Sequence, residues 1–185
     1  MKRLMIALFT FIALASYAQE VIDFMGIPVD GSVSEMMAKL QEKGFRETEE
    51  YNTLEGHLDG IPVRLTVCES RDKVYEIVVC YYFEGDNAKL VQCVNNLVGR
   101  FRGNSKYKEV QSEMITEDDL TESKLKQKYL GYYAHFTKIG ANGYVAIGLN
   151  RLNYMLGKNN GNPPEKDYQL WVQMKYVNAA NSPVG

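Results

Sequence analysis

The sequence predicts an α+β fold: an antiparallel sheet of about six strands with two main helices packed on one face, laid out as two helix-plus-three-strand units over residues 22–84 and 86–177. Three observations predict it. Residues 32–43 and 86–102 repeat apolar side chains at helical spacing, whereas residues 51–83 and the stretch from Tyr129 to Tyr176 repeat them at every second position. The order helix then strands occurs twice.

The chain opens "MKRLMIALFTFIALASYA", with Lys2 and Arg3 ahead of an apolar run from Leu4 to Ala15 and small residues at Ser16 and Ala18. That is the order of a secretory signal peptide. Residues 1–18 are therefore set apart, with cleavage after Ala18, and residues 19–185 are read as a single domain of the periplasm or the cell exterior. No cysteine stands at the junction for lipid attachment, and no later apolar run approaches the roughly 20 residues of a membrane helix. Twenty-one basic residues face 23 acidic ones, for a net charge of −2. This balance offers no basic face to nucleic acid. Cys68, Cys80 and Cys93 are too few for a disulfide framework and are expected to be free thiols, with Cys80 to Cys93 the one conceivable pair.

The first element follows "FMGIPVDGSV", residues 24–33, where two glycines four residues apart precede a serine. A phosphate-binding loop would place a lysine after the second glycine; here the order is Gly31, Ser32, Val33. The stretch is instead the way into a helix. Ser32 with Glu35 forms a capping box, Val33, Met36, Met37 and Leu40 share a face, and Gly44 marks the end. Asp59-Gly60 then signals a tight hairpin. Pairing Leu58 with Ile61 sets Gly56 opposite Val63, Leu54 opposite Leu65 and Asn52 opposite Val67. Strands are expected at 51–58, 61–69 and 73–83. A second turn of odd length keeps one face apolar, with Val67 meeting Tyr75 and Leu65 meeting Ile77. In that register Cys68 lies opposite Val74, and Cys80 opposite Pro62.

Asp86 caps the second helix, 86–102, which lines up Leu90, Val94, Leu97, Val98 and Phe101. Residues 116–128, acidic first and basic last, read as a third and mostly polar helix. Three more strands follow: "YLGYYAHFTK", "YVAIGLNRL" and "YQLWVQMKYV". Residues 156–167, "LGKNNGNPPEKD", have the composition of a mobile loop.

"FMGIPVDGSVSEMMAKLQEKGF", "KVYEIVV", "NNLVGRF" and the closing "MKYVNAANSPVG" resemble the opening motif, a strand, a helix and the Tyr-x-Asn-x-x-Asn ending of a group of short exported proteins of Gram-negative gut bacteria. The resemblance covers most of residues 19–185 except the loop near 156–167. It implies export and a shared fold, and assigns no activity. In architecture alone, two successive helix-plus-meander units resemble the β-lactamase inhibitor protein fold, in which a concave sheet face grips a partner.

No motif asks for a cofactor. His57 and His135 fall on polar sides of their strands, and Glu55 with His57 is too small a set for zinc, so no metal site is assembled. No nucleophile signature of the Gly-x-Ser-x-Gly or cysteine–histidine kind occurs, and no catalytic residue is assigned. What stands out is aromatic usage, with 13 tyrosines and one tryptophan. Tyr82, Tyr133 and Trp171 fall off the expected core face, with Gln169 and Gln173 beside the tryptophan. The expected function is non-catalytic binding through that face to a protein or peptide of the envelope or exterior. The alternative is glycan recognition by Tyr and Trp, and a hydrolase ranks third. A contiguous apolar patch would mark the first, a ring platform beside amide groups the second, and a deep pocket with perturbed acids or histidine the third. The competing structural expectation is that residues 103–128 or a loop cover the second face.

Overall fold

A computed structural model describes residues 20–83, 85–121, 132–153 and 168–183. The expected signal peptide, residues 122–128 of the expected third helix and the 156–167 loop lie outside them. The chain is α+β. A ribbon of β1 (Asp23–Phe24) and β2 (Ile27–Pro28) leads into α1 (Val33–Glu42), followed by β3 (Arg46–Glu47), β4 (Thr53–Leu58), β5 (Ile61–Ser70) and β6 (Lys73–Tyr82). After α2 (Asn87–Arg102) come β7 (Tyr107–Ser112), a 3-10 turn at Glu117–Leu120, β8 (Tyr132–Lys138), β9 (Gly143–Asn153) and β10 (Tyr168–Asn178).

Among the described residues, eight strands form one sheet in the order β3-β4-β5-β6-β10-β9-β8-β7. The count corrects the expected six. β3 is only two residues long, and β7, "YKEVQS", is exposed along almost its whole length, so neither carries an alternating signal. Each helix is thus followed by four strands rather than three, and the last strand of each run, β6 and β10, meet antiparallel in the middle.

Both helices lie on one face because their apolar stripes have nowhere else to go. Met36, Met37 and Leu40 of α1 and Leu90, Cys93, Val94, Leu97, Val98 and Phe101 of α2 join one core cluster with the sheet. The Ser32 hydroxyl accepts from the Glu35 N–H and the Asp86 carboxylate from the Lys89 N–H, caps worth about 1 kcal/mol each. Across the sheet the buried face runs in a single row: Leu54, Leu65, Val79, Met174, Ile147 and Ala134 pair in succession.

The first hairpin holds the expected register, with Asp59 and Gly60 at φ 52° and 79° in the turn. The second departs from it. Arg71 and Asp72 (φ 53° and 62°) make a two-residue turn, and a bulge at Tyr75 supplies the extra residue, so that Val67 pairs with Ile77 and Leu65 with Val79. The demand that the apolar face stay apolar was met by a bulge inside the strand, not by an odd loop. Cys68 consequently lies opposite Glu76, and Cys80 opposite Arg64.

Residues 103–121 do not cover the second face. Asn95 of α2 donates to the Ile115 carbonyl and accepts from the Ile115 N–H, both at 2.9 Å, which ties this segment beside α2, where Ile115 and Leu120 are buried in the common core.

The stretch before α1 closes the same core from below. The Asn178 amide donates to the Val29 carbonyl at 2.9 Å, and the Asn181 amide donates to Asp30 at 2.8 Å and to the Val74 carbonyl at 3.0 Å. Phe24 stands edge-on to Tyr176 at 5.1 Å. Lys138, only 4% exposed, reaches Asp23, Glu20 and the Val21 carbonyl. "FMGIPVDG" and "YVNAAN", the two motif-like stretches at opposite ends of the sequence, are thus partners in one clamp.

Candidate functional site

The face of the sheet away from the helices is set by the residues between the core positions, and its register is known strand by strand. Trp171 on β10 pairs with Tyr82 on β6 and with Asn150 on β9. Gln173 pairs with Cys80 and Gly148, and Lys175 with Val78 and Ala146. His135 on β8 sits beyond Ala146, with Gln111 on β7 beyond it.

Three of the expected site residues come together here. The Trp171 and Tyr82 rings lie 5.8 Å apart at 49°, and both side chains are half-buried. Gln173, also half-buried, is the next outward residue along β10 and, like Tyr82, hydrogen-bonds the Cys80 sulfur. Burial is the main influence raising both the Cys80 thiol and the Tyr82 phenol, so each remains protonated near neutrality. The indole N–H of Trp171 is enclosed and has no hydrogen-bond partner among the described residues. Gln169 pairs through its backbone with Leu152, and its side chain lies outside the described residues.

Tyr133 is not part of this group. Tyr132 pairs with Gly148 and Ala134 with Ile147, which leaves Tyr133 as the extra residue of a bulge. It is 7% exposed and belongs to the inner core. Strict alternation would have placed it outward; the bulge turns it in.

A second cluster, about 13 Å further along β10 at four residues of strand rise, was not foreseen. Glu76, Gln111, His135, Tyr144, Ala146 and Lys175 line a cavity of about 220 Å³. Lys175 donates to Glu76 at 3.4 Å, and both side chains are largely buried. Cys68, opposite Glu76, is hydrogen-bonded to it, and burial together with the Glu76 charge pushes its thiol up to about 11. It therefore serves Glu76 as a donor rather than as a nucleophile. His135 stacks edge-on with Tyr144 at 4.7 Å, its Nε2 enclosed and without a hydrogen-bond partner among the described residues.

Two facts hid this cluster from the sequence. Glu76 and Lys175 meet only because β6 neighbours β10, a pairing of strands far apart in the chain. Gln111 reaches this face only through a bulge at Val110, since Glu109 pairs with Phe136 on the core side and Gln111 with His135 on the other. The signal available in the sequence was the set of polar residues at the outward positions of β6, β8 and β10.

Glu55 and His57 line a separate cavity of about 310 Å³ at the edge of the sheet, with Arg46 and Pro62. Among the described residues no group of three or more potential metal ligands forms, and no helix is long and apolar enough to cross a membrane. Cys68 and Cys80 are half-buried on the outer face, Cys93 is buried on α2, and all three are free thiols. The sheet separates Cys80 from Cys93. Comparison with protein-family models, with curated proteins and with solved structures gives no match for this chain, so its own chemistry carries the functional argument.

Proposed function

We propose that the protein is an exported, non-catalytic binding module whose ligand lies on the outer face of the sheet, and that this ligand is a glycan. The observation that carries the reading is the half-buried pair of Trp171 and Tyr82 with the Gln173 amide next along the strand and Asn150 opposite the tryptophan. Sugar rings present an apolar C–H face to an aromatic plane and hydroxyls to amides, which is this combination. The indole N–H, without a hydrogen-bond partner among the described residues, favours it further, because a ligand acceptor that reached it would satisfy the donor at the cost of no protein hydrogen bond.

A protein or peptide partner, the first expectation from the sequence, ranks second on the same geometry. It asks for a contiguous apolar patch. The most exposed large apolar side chains among the described residues, Met25, Tyr51, Val110, Met114 and Ile139, lie instead in turns, loops and the edge strand.

The chain has one tryptophan, so its fluorescence reports the site directly. Titration with neutral oligosaccharides should shift the emission and protect it from a soluble quencher. Trp171→Ala should weaken binding at least about thirtyfold, the value of a 2 kcal/mol anchor, while the unfolding midpoint falls only slightly. A tryptophan already unreachable by quencher in the free protein, with 3 to 5 kcal/mol of stability lost on its removal, would mark it as structural and end the proposal. Capture of an envelope protein that depends on Trp171, with no response to any saccharide, would return the protein partner to first place.

A further inference from the structure

We propose that the cavity lined by Glu76, Gln111, His135, Tyr144, Ala146 and Lys175 is a second subsite that takes one ring of the same glycan, making the ligand an oligosaccharide laid along β10. This rests on the glycan reading of the Trp171 end and extends it. Trp171, Gln173 and Lys175 occupy successive outward positions of a single strand, so the two ends share one face and one direction, about 13 Å apart. Midway, Gly148 stands opposite Gln173 and adds no side chain on β9.

The chemistry of the cavity points to a neutral, polyhydroxylated occupant. Its carboxylate and ammonium already face each other at 3.4 Å, 12% and 24% exposed. An ion of either sign would enter a site that is electrically balanced, and would leave one member of a desolvated pair uncompensated. A hydroxyl carries no such penalty. It donates to Glu76 while accepting from Lys175, joining the pair rather than breaking it, and hydrogen bonds to charged groups are the stronger kind. Gln111 and Tyr144 both donate and accept, as hydroxyl recognition requires. The Ala146 methyl and the edge-on rings of Tyr144 and His135 offer apolar contact for the C–H face of the sugar. The bulges at Tyr75 and Val110 border this cavity on two sides, and the one at Val110 is what brings Gln111 to it.

The test uses two independent reporters in the full chain. Trp171 fluorescence reads the first subsite. NMR of the imidazole rings reads the second, because the chain has two histidines and His57 lies on β4, away from the cavity. The probes are neutral glucose, xylose, mannose and N-acetylglucosamine oligomers of increasing length. The shortest oligomers that bind should alter Trp171 emission alone, and longer ones should also shift the His135 ring signals. Lys175→Gln should weaken the longer oligomers at least about tenfold, the loss of one charge-assisted hydrogen bond, and Gln111→Ala about three- to tenfold, the loss of a neutral one, and both should leave the shorter ones unchanged. Should Lys175→Gln lower the unfolding midpoint, Gln111→Ala decides, since position 111 is exposed on an edge strand. Oligomers that perturb Trp171 at every length yet never His135, with both variants binding as the parent does, would overturn the second subsite and leave the first standing. No response of Trp171 to any saccharide would overturn both.

Discussion

The two faces of the eight-stranded sheet are built from alternate residues of the same strands, and they obey different rules. On the helix side, Leu54, Leu65, Val79, Met174, Ile147 and Ala134 run in an unbroken row and are essentially inaccessible. On the other side, aromatic, amide, charged and thiol groups alternate with the small residues Ala146 and Gly148. The bulges at Tyr75, Val110 and Tyr133 reconcile the two. Each adds a residue to one strand and changes which side chain the neighbouring positions send outward; those at Tyr75 and Tyr133 also keep the core row apolar. Hydrophobic burial therefore dictates one face completely, and the other inherits whatever re-phasing the first requires.

The largest effect that can break this contrast is on the inner row. Leu65→Ala should cost about 2 to 5 kcal/mol, since the side chain is fully buried between β4 and β6; an unmoved denaturation midpoint would refute the row. Next is Gly56, whose missing Cβ would lie 2.5 Å from Cδ1 of the buried Phe45 ring. Gly56→Ala overpacks the same face and should cost about 1 to 3 kcal/mol, read by the same measurement.

The terminal clamp gives a smaller, pH-dependent effect. Burial pushes the Asp30 carboxyl up, but the Gly31 N–H, the Asn181 amide and Lys73 outweigh it and hold it below the usual carboxylate range. A folded value below the unfolded one stabilises fully above about pH 4, and the contribution is lost as pH falls through the folded value. Asn181→Ala should cost about 1 kcal/mol at neutral pH, and the gap from the parent should narrow in acid as the Asp30 contribution fades. A gap that widens there would show that Asp30 is not the partner that matters. Smallest is an outer-face change one residue from Leu65: Arg64→Ala removes an exposed 2.8 Å pair with Glu50 and should cost about 0 to 1 kcal/mol. A loss comparable to Leu65→Ala would erase the contrast between faces.

The same contrast explains what the sequence could tell. Both helices, their caps and the Asp59-Gly60 hairpin were legible because propensity, periodicity and burial agree there. The Arg71-Asp72 turn was not legible because Arg-Asp, unlike Asp-Gly, is no signature of a two-residue turn with two positive φ angles, although the alternation of apolar residues does encode the parity that the turn and bulge together satisfy. β7 was illegible because an exposed edge strand with a bulge shows no period. Within the candidate site, Trp171, Tyr82 and Gln173 were visible as polar or aromatic residues out of phase with the core. Tyr133 was misplaced by the bulge that holds it. Glu76, Lys175 and His135 were invisible as a group because their meeting depends on β6 and β10 lying side by side, and no local pattern encodes that pairing.

The clamp also governs when this chain can fold. Asn178 grips a carbonyl 149 residues upstream of it, and Asn181 a carboxylate 151 residues upstream. The central β6–β10 ladder joins Glu76 to Val177 and Tyr82 to Trp171. Contacts of such long sequence separation bring loop-closure entropy that must be met before they stabilise anything, which slows folding. A ribosome releasing this chain would deliver α1 and its strands long before their partners exist, with β6 presenting an open edge. The native state can form only after nearly the whole polypeptide has been synthesised, and until then its apolar strands and open edge are exposed to other chains or to a chaperone.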